Sequence, residues 1–135
     1  VIIKSILALL LCSLVAQAKH LHKEKVYQEH FCKALGGVVE HILPDRTRVD
    51  CLLDGYAIEV DFAQKWAESI GQSLYYASQT SRKAAVLLIM EDRKKGEKYL
   101  RRLEDVSRKH NIDIWTIDKE FKIERKPRPG SILEQ

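Results

Sequence analysis

Between Leu21 and Leu35 the apolar positions Tyr27, Phe31, Ala34 and Leu35 recur at helical spacing, and Gly36-Gly37 predicts where that helix closes. Val38 to Leu43 alternates weakly and stops at Pro44. Thr47 to Leu53 and Tyr56 to Phe62 then read as two strands joined through Asp54-Gly55, a hairpin signal. Ala63 to Thr80 returns to helical periodicity, and Ala84 to Met90 is an unbroken apolar run of the buried-strand type. Gly96 to His110 places Tyr99, Leu100, Leu103 and Val106 on one helical face, and Ile112 to Ile117 makes a last strand. The order α-β-β-β-α-β-α-β predicts an α/β fold with a mixed central sheet and flanking helices, a hairpin followed by right-handed crossovers. No internal repeat interrupts it. Residues 19–117 form a single predicted domain, and Lys-rich residues 118–135, with Pro127, Pro129 and Gly130, read as a basic, flexible tail.

The hairpin sets two acids face to face. A two-residue type I′ turn at Asp54-Gly55 pairs Leu53 with Tyr56, Leu52 with Ala57, Cys51 with Ile58, Asp50 with Glu59 and Val49 with Val60. One sheet face then holds Val49, Cys51, Leu53, Tyr56, Ile58 and Val60, while Arg48, Asp50, Glu59 and Asp61 share the other. Like charges about 5 Å apart across a strand pair repel, so structure alone gains nothing from this placement. A divalent cation reverses the sign, because Mg²⁺ takes one or two carboxylates together with water and phosphate oxygens. The alternative is a solvated strand face with Arg48 set against Asp61 as a surface ion pair.

The next helix adds a polar line. Lys65, Ser69, Gln72 and Tyr76 fall within an arc of about 60° at 100° per residue, beside a stripe of Trp66, Ile70, Leu74 and Ala77 expected to face the core. Lys65 follows the acidic strand by three residues.

Composition narrows the class. The chain has 135 residues, 45% of them apolar and 31% charged, which suits one modest core and excludes a disordered or largely membrane-embedded protein. Lys and Arg number 23 against 19 Asp and Glu, a formal charge of +4 that permits a polyanionic partner. Lys4, the apolar run Ile6 to Val15 and Ala16-Gln17-Ala18 have the layout of a signal peptide over residues 1–18, so the chain is expected to be exported, periplasmic or secreted, without a membrane anchor after cleavage. Cleavage removes Cys12 and leaves Cys32 and Cys51. These either form one disulfide or stay apart, Cys51 then being a small apolar strand residue. His20 and His22 read as a polar chain end. The sequence contains no zinc spacing, helix-turn-helix, aromatic stacking series or G-x-S-x-G.

The segments Arg48-Val49-Asp50, Ala57-Ile58-Glu59-Val60-Asp61 and Gln72-Ser73-Leu74-Tyr75-Tyr76 resemble the PD-(D/E)xK nuclease superfamily, whose fold is restriction-endonuclease-like. The likeness is to its small members similar to Holliday-junction resolvases and helicase-associated exonuclease domains, over roughly Gly37 to Ile117. It implies a metal-dependent hydrolase of DNA phosphodiesters, with Mg²⁺ or Mn²⁺ held by Asp50, Glu59 and the Val60 carbonyl. It also implies that Gln72 and Tyr76 contact the DNA strand or steady the site. The superfamily's lysine position holds Asp61, so Lys65 is expected to replace that lysine, or else Asp61 to act as a third ligand. Glu40 is an auxiliary acid by the same resemblance, or an exposed strand residue. Asp45, after Pro44, reads as turn chemistry. Candidate phosphate contacts are Arg46, Arg48, Arg82, Lys83 and an Arg93-Lys94-Lys95 turn, or these are solubilising charges. The alternative function is a nucleic-acid-binding module that kept the fold and lost the chemistry.

Overall fold

The computed structural model describes residues 19–127, so the expected leader at 1–18, Cys12 and residues 128–135 lie outside the described residues. Helix α1 (Glu24–Ala34) is followed by β1 (Val38–Ile42), β2 (Arg48–Leu52) and β3 (Tyr56–Phe62). A 3₁₀ turn (Ala63–Lys65) leads into α2 (Trp66–Thr80), then β4 (Lys83–Met90), α3 (Arg93–His110), β5 (Asp113–Asp118) and β6 (Ile123–Lys126). The six strands lie in sequence order in one mixed sheet: β1, β2 and β3 are antiparallel, β3, β4 and β5 parallel, and β6 antiparallel to β5. The α/β class and the expected element order therefore stand, with one strand added. Residues 123–126, expected in the tail, pair Ile123 with Ile117 and Thr116 with Glu124. A four-residue, charge-rich edge strand carries too little alternation to be seen in sequence.

Two apolar layers sandwich the sheet. Tyr27, Phe31 and Cys32 of α1 pack on Ile58, Val60, Leu87, Ile89 and Ile117. On the other face Leu100 and Leu103 of α3, with Trp66, Ile70 and Ala77 of α2, cover Val86, Leu88, Met90 and Ile114. Every residue of β4 after Lys83 is buried, as expected of an unbroken apolar strand in a parallel sheet. Among the described residues no helix is long and apolar enough to cross a membrane.

Local chemistry explains most boundaries. Gly36 sits at φ 71° past the end of α1, and Gly37 N–H returns to the Cys32 carbonyl at 2.8 Å. Gly37 is also needed for space, since an added Cβ would stand 2.8 Å from both Cys32 Sγ and Cys51 Sγ. Those cysteines are joined in a disulfide with a Cα–Cα distance of 5.6 Å, which resolves the open alternative and ties α1 to β2. A loop of 19 residues closed in this way stabilises the fold by about 3 kcal/mol. The expected Arg93-Lys94-Lys95 turn is instead the first turn of α3, because Asp92 caps the helix by accepting the Lys95 N–H at 3.1 Å.

Candidate active site

The site forms where β2 parts from β3. Their ladder follows the expected register for Leu52↔Ala57 and Cys51↔Ile58. The turn is not type I′, because neither Asp54 nor Gly55 has a positive φ. Its carbonyls serve the next crossover: Asp54 accepts from Arg82 Nε at 3.1 Å and Gly55 from the Lys83 N–H at 3.1 Å. Beyond Cys51 the expected ladder pairs of Asp50 with Glu59 and Val49 with Val60 are not made. The Val60 N–H donates to Asp50 Oδ2 at 2.8 Å, so a side chain takes the place of a strand carbonyl. Val49 also leaves its expected face and joins a cluster with Leu43, Leu52, Ala57 and Tyr76.

The acids do not lie on a solvated face. Glu59 and Asp61 are each only 6% exposed, and Asp50 is half-buried. Asp50 and Glu59 are hydrogen-bonded carboxyl to carboxyl. Burial first, then the charges of Asp50 and Asp61, push Glu59 up to about 10, so Glu59 is the member of that pair that keeps the proton. Burial and the charge of Glu24 raise Asp61 to about 7, against the pull of Lys65. Asp50 is raised mainly by burial, its bonds to the Val60 N–H and Glu59 working the other way. No donor reaches Glu59 Oε2, which is buried.

Sequence reasoning missed Glu24. Its carboxyl, at the start of α1, is hydrogen-bonded to Asp61, and it is raised by burial and by Asp50 while Lys65 lowers it. The four-residue spacing of Glu24, Gln28 and Cys32 was the signal that could have found it. Gln28, 3% exposed, donates from Nε2 to the Asp50 carbonyl at 2.9 Å.

The remaining candidates divide. Lys65, brought back by the 3₁₀ turn, acts electrostatically on both Asp61 and Glu24. Tyr76 is buried, and burial with the charges of Glu59 and Asp50 raises its hydroxyl to about 12, so it remains a donor. Gln72 is exposed on α2. The expected stripe on that helix needs correction: Leu74 is exposed, and the most buried line is Ser69, Ser73 and Tyr76. Each serine satisfies its hydroxyl on a carbonyl three residues back, Trp66 and Ile70 respectively. Arg48 pairs with Glu40 at 3.2 Å rather than with Asp61, and the Glu40 charge adds to those that raise Asp50. Glu40 itself stands at φ 52°. Asp45 performs turn chemistry, accepting the Thr47 N–H at 3.0 Å and the Tyr75 hydroxyl. Arg93 is committed to Asp118 and Glu124.

Four carboxyls and one lysine thus share a partly dry corner, and hard oxygen donors with an orphaned buried oxygen are what a divalent cation requires. As placed, the carboxyls engage one another in pairs, and no three His, Cys, Asp or Glu side chains among the described residues form a ready-made ligand set. No family model, curated protein or solved structure matches the chain.

Proposed function

We propose that the chain is a divalent-cation-dependent nuclease that hydrolyses DNA phosphodiester bonds, with a restriction-endonuclease-like fold and Mg²⁺ or Mn²⁺ as cofactor. The observation that carries this reading is Glu59, a buried carboxyl among like charges with one oxygen no donor reaches. Asp50, Glu59 and Asp61 would hold the cation as carboxylates, the proton that Glu59 keeps in the cation-free protein being released as the cation binds. When bound, the cation supplies Lewis-acid polarisation of the phosphate and a lowered pKa for a coordinated water. Lys65 stabilises the charge that gathers on the phosphate oxygens. Tyr76 donates from a hydroxyl that does not ionise at neutral pH, and Gln72 meets the strand from the exposed side of α2. The disulfide supports an oxidising compartment and hence export.

A second reading, a binding module that kept the fold and lost the chemistry, is favoured by Asp61 standing where the superfamily has lysine. Incubation with labelled linear, single-stranded and branched DNA, in Mg²⁺, Mn²⁺ or chelator, separates the two. Metal-dependent cutting is expected, with Asp50→Ala and Glu59→Ala slower by roughly 10³-fold and Lys65→Ala by roughly 10²-fold. Uncut DNA in the presence of folded protein and metal overturns the nuclease reading in favour of the module.

A further inference from the structure

Glu24, Gln28 and Cys32 stand along one side of α1, four residues apart. All three tie into the region of the acid cluster: Glu24 to Asp61, Gln28 to the Asp50 carbonyl, and Cys32 covalently to Cys51. Two of the ties fall on consecutive residues of β2, Asp50 and Cys51, where the pairing of that strand with β3 ends. The β2–β3 pairing ends at Cys51, and the β1–β2 pairing runs from Val39↔Cys51 to His41↔Val49 past Glu40 at its positive φ. Asp50 is therefore positioned on its main chain from α1, while the Val60 N–H of β3 holds its carboxyl. Gln28 fixes its main chain, and the bonded cysteine, fully buried, fixes the next residue.

We infer that α1 is a clamp on the acid cluster, set by the oxidation state of the Cys32–Cys51 pair, with Gln28 as a positioning residue. The oxidised chain holds Asp50 and Glu24 toward one site and binds a divalent cation tightly, and the dithiol chain binds it weakly. This inference rests on the cluster being a divalent-cation site. In the oxidation, the two thiols lose two protons and two electrons to a disulfide of the glutathione type. The S–S bond forms in the protein as the oxidant's own S–S bond breaks to give two thiols. A chain made in a reducing compartment thus stays unable to act on the DNA around it, and becomes competent where its cysteines oxidise. By linkage the effect runs both ways, so the cation must stabilise the disulfide by the factor that the disulfide tightens the cation.

The full-length Cys12→Ser chain, which retains Cys32 and Cys51 alone, is titrated with Mg²⁺ by calorimetry in its disulfide form and as the Cys32→Ser, Cys51→Ser variant. At least tenfold tighter binding by the disulfide form is expected. In glutathione buffers the midpoint for reducing Cys32–Cys51 should then move about 30 mV more negative under saturating Mg²⁺, the equivalent of that tenfold. Gln28→Leu, with the disulfide intact and the fold checked by circular dichroism, should weaken Mg²⁺ by about tenfold. Glu29→Gln, on the exposed side of the same helix beside Lys25, serves as the control and should leave the affinity where it was. Equal affinities, an unmoved midpoint and a wild-type Gln28→Leu overturn the clamp and leave the cation site standing. Absence of Mg²⁺ binding to the disulfide form overturns both. If the serine variant does not fold, the midpoint shift and Gln28→Leu decide.

Discussion

Glu59 and Asp61 on β3 and Asp113 and Asp118 on β5 are buried alike, at 6%, 6%, 4% and 7% exposure, two strands apart in one sheet. Their surroundings differ in kind. Asp118 accepts the N–H groups of Glu120 at 3.0 Å and Lys122 at 2.9 Å and two bonds from the Arg93 guanidinium. Burial acts to raise it, yet those donors outweigh burial and hold it below the ordinary carboxylate range. Asp113 accepts from the Tyr56 hydroxyl at 2.7 Å and from Arg125 Nη2 at 2.9 Å, under a guanidinium stacked near Trp115. The β3 acids meet other acids, with Lys65 as the opposing charge. Burial alone does not mark a functional carboxylate, since the fold compensates two of these four completely enough to use them as structure. The uncompensated pair is where a positive partner from outside belongs.

Removing a carboxylate should therefore have opposite consequences on the two strands. Asp118→Ala strips two backbone N–H groups and Arg93 of their acceptor, and is expected to cost about 3 kcal/mol, read as a lowered urea midpoint. A loss under 1 kcal/mol would erase the contrast. Glu59→Gln should stabilise the cation-free protein instead, by about 2 kcal/mol near pH 8. The sign follows from the shift: with its carboxyl raised from 4.5 to about 10, folded Glu59 keeps a proton that the unfolded chain releases. Its contribution is full below about pH 4.5 and drains away as pH climbs toward 10. Unfolding by urea in chelator from pH 5 to 9 should show the wild type losing stability and Glu59→Gln losing less. Added Mg²⁺ should flatten the wild-type curve and leave the variant's unchanged.

Much of this contrast was legible beforehand, and the illegible part has a common cause. The Asp54-Gly55 hairpin, the register through Cys51 and the buried run of β4 follow from local period and turn residues, so sequence reaches them directly. Asp50, Glu59 and Asp61 were selected as acids that share a face. Their burial was not foreseen, and neither was that of Ser69 and Ser73 on the helix that follows, small residues that a hydrophobic pattern scores as polar. Glu24 and Gln28 were missed for a related reason: their partners, Asp61 and Asp50, lie across the chain, and a helix start rich in polar residues looks solvated when read alone. The swing of Val49 to the other side and the break in the ladder at Asp50 come from a side chain substituting for a strand carbonyl, which no two-residue period encodes.

Asp61 supplies the smallest and sharpest test, because the Lys65 charge works against its burial. Burial and Glu24 raise it from 3.8 to about 7 while Lys65 opposes them. Its stability contribution is thus complete below about pH 3.8 and spent once the pH passes about 7, an earlier and narrower window than that of Glu59. Asp61→Asn should gain about 1 kcal/mol near pH 7 and nothing near pH 4, less than Glu59→Gln because the hydrogen bond to Glu24 is weakened and the Lys65 charge is left over. Lys65→Ala should move the wild-type pH curve the other way, by removing the charge that favours the ionised form. A pH profile for Asp61→Asn that departs in slope from wild type only below about pH 4, with the wild type the more stable protein at neutral pH, would place Asp61 with the compensated Asp118. The cation would then rest on Asp50 and Glu59.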